Sequence, residues 1–93
     1  MSVDELIALE ALDYKHSLRI VLMLHSEGML NMTNIADRLN IKNRVGIANV
    51  AKALERYGLI TITTSVPQTK WLTLTEKGTE VARRIEEIAN LLL

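Results

Sequence analysis

The chain contains no cysteine, which excludes disulfides, thiolate metal sites and cysteine nucleophiles together. Phenylalanine is missing too, and the aromatic complement is one Trp and two Tyr. Yet 48% of the 93 residues are hydrophobic, too many for disorder, so a core built from them is aliphatic. No uncharged apolar stretch reaches the roughly 18 residues that a membrane-spanning helix needs. The opening residues Met1-Ser2-Val3-Asp4-Glu5 are acidic where a secretory signal is basic, and no cleavage-site pattern follows. These absences predict a soluble, cytoplasmic protein without a membrane partner, of a length that suits one domain.

Catalytic apparatus is lacking as well. His16 and His25 stand nine residues apart, and neither has the H-x-x-x-H partner of a zinc site. Ser17 and Ser26 have no evident triad, and Glu86-Glu87 reads as a solvated helix surface. No glycine-rich phosphate loop occurs. Neither an enzyme nor a metal or other cofactor is expected.

Charge is balanced overall, with 11 basic and 11 acidic residues, but it is unevenly spread. Residues 1–13 carry Asp4, Glu5, Glu10 and Asp13 and no base, hence −4. Residues 38–56 carry five bases (Arg38, Lys42, Arg44, Lys52, Arg56) against Glu55, hence +4. A concentrated basic segment in a neutral chain points to an anionic partner, although bases on a helix also serve as ordinary solvated surface.

Local patterning divides the chain into helices and one hairpin. Ser2 and Glu5 fit a capping box that opens a short helix over 3–12. From Tyr14 to Ser26, apolar residues recur at helical spacing around most of the circumference, which predicts the central buried helix, stopped by Glu27-Gly28. Met29 to Met32 is a link able to join the hairpin as a small third strand. Asn31 or Thr33 caps a helix over 33–40 that buries Ile35, Ala36 and Leu39. After a turn at Asn40-Ile41, a helix over 43–57 places Ile47, Val50, Ala51 and Leu54 on one stripe and ends at Gly58. Leu59 to Val66 alternates apolar with polar and is β-branched, Pro67-Gln68-Thr69 is the hairpin tip, and Lys70 to Leu74 returns. Thr75 caps the last helix, in which Gly78 costs about 1 kcal/mol relative to Ala. That helix repeats Val81, Ile85, Ile88 and Leu92 at coiled-coil spacing. The pattern is α+β, mostly α.

Two segments carry a family resemblance: Leu54-Glu55-Arg56-Tyr57-Gly58-Leu59-Ile60 and Leu74-Thr75-Glu76-Lys77-Gly78. Their order and separation resemble the winged helix-turn-helix regulators of the MarR-like and ArsR-like types found in archaea and bacteria. The resemblance covers roughly residues 14–80. It implies a winged helix-turn-helix with a two- to three-stranded wing and a C-terminal dimerisation helix. Residues 1–93 then form a single domain: an N-terminal helix (1–13), a winged core (14–75) and a dimerisation helix (76–93).

The function implied is a sequence-preferring, double-stranded DNA-binding transcriptional regulator that acts as a homodimer and a repressor. On this resemblance Arg44 and Asn49 face bases, because Arg pairs with guanine and Asn with adenine edges. Lys42, Asn43 and Lys52 then face phosphate, and Gln68 and Lys70 supply a sparse wing contact. Asn43 also reads as a plain N-cap, and Trp71 as a residue packed on a neighbouring helix. Gly46 permits close approach to a groove. The recognition helix departs from the family by placing Val45, Gly46 and Ala48 where Ser, Thr and Arg are common. Val81, Ile85, Ile88 and Leu92 are the expected dimerisation seam, unless that stripe packs back on its own domain. Related regulators often hold a small-molecule effector between the dimerisation helices, but no residue here marks one. The competing readings are a winged-helix protein-interaction module and a nonspecific architectural DNA-binding protein.

Overall fold

The computed structural model describes residues 2–93. Helix α1 (Val3–Ala8) opens on the expected capping box: the Glu5 N–H donates to Ser2 Oγ at 3.3 Å, and the Ser2 N–H to the Glu5 carboxylate at 3.4 Å. It tightens into a 3-10 turn over Leu9–Leu12. Helix α2 (Ser17–Glu27) begins later than the periodicity suggests, because His16 adopts a left-handed backbone at φ 68°. The buried Ser17 hydroxyl donates to the Leu12 carbonyl at 2.8 Å and fixes this corner. Ile20, Val21 and Leu24 of α2 are fully enclosed, whereas Leu18 is exposed. The helix is thus central but not buried all round.

Strand β1 (Met29–Asn31) joins the hairpin as a short third strand. Of the two candidate caps, Asn31 starts α3 (Met32–Arg38), exchanging hydrogen bonds with Asn34. The helix ends at Asn40, left-handed at φ 55°, with the Ile41 N–H returning to the Ala36 carbonyl at 2.9 Å. This closed C-terminus makes the tight turn into α4 (Arg44–Arg56). At the far end of α4, Gly58 (φ 80°) repeats the device, and the Leu59 N–H bonds the Leu54 carbonyl at 2.9 Å.

Strands β2 (Ile60–Ser65) and β3 (Thr69–Leu74) pair antiparallel, in the sheet order β1-β3-β2. Register sets Leu30, Leu72 and Ile62 side by side on the core face, and Asn31, Trp71 and Thr63 on the other. Trp71 therefore lies on the outer sheet face, where its indole N–H donates to Ser65 Oγ at 3.1 Å. Helix α5 (Glu76–Leu92) follows from the Thr75 cap.

Gly78 of α5 overturns the expectation of a merely weakened first turn. It is buried, and a Cβ there would overlap the Leu59 carbonyl oxygen. Around it the Thr75 N–H donates to that carbonyl at 3.0 Å, and the Thr75 hydroxyl donates to the Gly58 carbonyl at 2.6 Å. Lys77 Nζ donates to the Tyr57 carbonyl at 3.3 Å. The two segments behind the family resemblance are thus one joint, which locks the end of α4 to the start of α5.

Candidate nucleic-acid interface

Five side chains of α4 are buried: Ile47, Val50, Ala51, Ala53 and Leu54. That stripe anchors the helix and forces Arg44, Asn49 and Lys52 outward, where all three are exposed. Lys42, in the preceding turn, is exposed as well. Among the described residues none of these cations has a salt-bridge partner. Asn43 is the N-cap: its side-chain oxygen accepts the Val45 N–H at 3.0 Å. No acid occupies the first turn, so the positive end of the helix dipole adds to the cations.

Gly46 stands exposed on this surface, and a Cβ there would meet nothing within 4 Å. Its own fold does not require it. Val45 beside it is 67% exposed, an apolar residue on an otherwise polar front.

Two of the five bases in the cationic segment are committed elsewhere. Arg38 forms an ion pair with Glu27. Arg56 lies over the Tyr57 ring, 5.6 Å from its centre, and donates to the Tyr14 hydroxyl at 3.0 Å. The Tyr57 hydroxyl donates to Glu10 at 3.4 Å. The acidic leading segment therefore meets α4 at its C-terminal end and leaves the N-terminal half uncovered.

The reading of the sequence missed Lys15. With Asn43, Gly46 and Val50 it lines a cleft of about 230 Å³ between the starts of α2 and α4. Twenty-seven residues separate Lys15 from Lys42, and no local pattern signals the left-handed corner at His16 that brings the start of α2 here.

Gln68 and Lys70 are exposed on the wing and share a shallow cleft with Asn31, Met32 and Thr33 at the start of α3. Lys70 is the sole charge between Ile60 and Leu74. The expected seam on α5 divides. Ile85 is buried in its own domain and Val81 half-buried, while Ile88 and Leu92 are 55% and 81% exposed. Only the distal half of the stripe faces outward.

No protein-family model and no curated protein matches the chain. Solved structures do. The chain is 26% identical to HlyU from Vibrio cholerae N16961, with a TM-score of 0.75 over 98% of this chain and 97% of that one. It superposes on a transcriptional regulator homologue from Pyrococcus horikoshii OT3 with a TM-score of 0.77, at 18% identity over 97% and 91% of the two chains. It also matches reduced AbfR bound to DNA, with a TM-score of 0.70 at 20% identity, over 92% of this chain and 62% of that one. The helix-turn-helix, the pendant hairpin and these superpositions agree: the chain is a winged helix-turn-helix protein with the fold of transcriptional regulators.

Proposed function

We propose that this chain is a double-stranded DNA-binding transcriptional regulator of the cytoplasm, working as a homodimer and repressing by occlusion. The observation that carries the reading is the outward surface from Lys42 to Lys52, whose exposed cations have no salt-bridge partner among the described residues. Arg44 and Asn49 take base edges in the major groove, while Lys42, Lys52 and Lys15 take phosphate. Asn43 presents its amide from the cap position, and Gln68 with Lys70 makes a light wing contact. AbfR, which shares the fold, is a neighbour seen with DNA bound. No helix of the described residues is long and apolar enough to cross a membrane.

Fluorescence anisotropy on genomic and random duplexes at two salt concentrations tests this reading. With three phosphate contacts per protomer, affinity should fall about a thousandfold between roughly 50 and 200 mM salt. No binding above background at low salt would refute it. The neutral total charge and the single basic residue of the wing favour one other reading, a protein-interaction module. Recovery of a stoichiometric protein partner without any DNA affinity would establish that alternative.

A further inference from the structure

Of the large apolar side chains on α4, Val45 alone is exposed, while Ile47, Val50 and Leu54 are buried. Its place on the helix is central. At about 100° per residue, Val45, Asn49 and Lys52 fall on one line, at i, i+4 and i+7. That line runs nearly opposite the stripe of Ile47, Val50, Ala51 and Leu54, so the anchored helix pushes it furthest outward. It ends at Arg56, which Tyr14 holds. Arg44 lies about 100° to one side of it.

Folding gives no reason for valine at this position. A β-branched residue is a poorer helix former than Ala, and no burial compensates here. The Val45 N–H is used, donating to the Asn43 side chain at 3.0 Å, but any residue except proline would supply it. What valine adds is a stiff apolar surface. One χ1 rotamer dominates in a helix, so little freedom is lost when the side chain is covered.

Among the base edges of the major groove, the apolar feature is the C5-methyl group of thymine. One turn along the same ridge stands Asn49, exposed, whose amide matches N6 and N7 of adenine. Four residues of helix advance about 6 Å, close to two base-pair steps of about 3.4 Å.

We infer that Val45 reads the methyl group of a thymine, within two base pairs of the adenine held by Asn49. The recognised half-site then carries A·T pairs beneath the start of α4. This inference rests on the DNA-binding reading and names what that surface selects.

The test begins with duplexes enriched from a random pool by the unmodified protein. Each thymine of the enriched sequence is replaced in turn by deoxyuridine, which removes only the C5-methyl group, and affinity is read by fluorescence anisotropy. At one position the replacement should cost the parent about fourfold, the worth of one buried methyl group. The same replacement should cost Val45→Ala nothing. That variant keeps its fold, since Ala is the better helix former and no buried contact is lost. Replacing an adenine within two base pairs by 7-deazaadenine should weaken the parent and leave Asn49→Ala unchanged; a responding adenine further away, or none, removes Asn49 from the proposal. If no thymine responds, or if parent and Val45→Ala lose equally, the inference is overturned while DNA binding stands. Binding at low salt without enrichment of any sequence overturns it too. Absence of binding above background at low salt removes the DNA-binding reading itself.

Discussion

The two ends of α4 are built to opposite rules. At the C-terminal end the Tyr57, Gly58 and Leu59 carbonyls are each taken by Lys77 or Thr75, and Arg56 is held by Tyr14. From the turn before α4 to just past its middle Lys42, Arg44, Asn49 and Lys52 are exposed, and a glycine with nothing near it interrupts the helix front. One end is finished by its own fold. The other is left open by it. The difference teaches that the family-like residues here are those of the joint, whereas the residues proposed to read DNA lie outside both segments. Resemblance therefore reports how the helix is held more directly than what it holds.

Gly78→Ala attacks the finished end and carries the largest expected effect. The new methyl group would collide with the Leu59 carbonyl, which is backbone already bonded to Thr75 and has nowhere to yield. A loss of about 3 kcal/mol or more is expected, above the usual range for overpacking by one carbon. In a domain of this size that lowers the melting temperature by more than about 12 °C. A melt within a few degrees of the parent would show that the joint slides, and the contrast between the ends would lose its basis.

Arg44→Ala addresses the other end. Its side chain is exposed and has no salt-bridge partner among the described residues, so stability should stay within about 0.5 kcal/mol of the parent. Affinity for a preferred duplex should drop by about 1–3 kcal/mol, with smaller loss on random sequence. Lys52→Ala, the matched control, should weaken all duplexes alike. If the Arg44 variant also loses equally on preferred and random duplexes, Arg44 touches phosphate and reads no base.

Much of the fold was legible because its signals are local. Ser2 with Glu5, the turn at Asn40, the left-handed stop at Gly58, the Thr75 cap and the alternation of β2 are each set by residues a few positions apart. What escaped depends on distant partners. The fate of Arg38 and Arg56 was decided by Glu27 and Tyr14, which no spacing links to them. Lys15 joined the front through a corner at His16, where a lone histidine inside a helical pattern is too weak a signal of positive φ. Periodicity ran unbroken from Val81 to Leu92, yet it carries no mark of where the helix outgrows its domain, between Ile85 and Ile88. Gly78 misled for the same reason: helix propensity priced it as a weak helix former, and the carbonyl it accommodates belongs to Leu59, nineteen residues earlier.

Gly46→Ala carries the smallest effect and sharpens the comparison most, because its two consequences have opposite signs. Inside a helix Ala is favoured over Gly by about 1 kcal/mol, and here the added methyl meets no neighbour. The variant should therefore melt higher by roughly 4–8 °C. Gly78 is held by its own fold, so the same substitution there destabilises. If α4 presses its Gly46 face against DNA, the methyl occupies the approach, and affinity falls while stability rises. Stabilisation with unchanged affinity would move the contact away from Gly46 towards Asn49 and Lys52. A variant no more stable than the parent would mean that the first turns of α4 are not held as helix in free protein, and the uncovered end would then be ordered by its ligand.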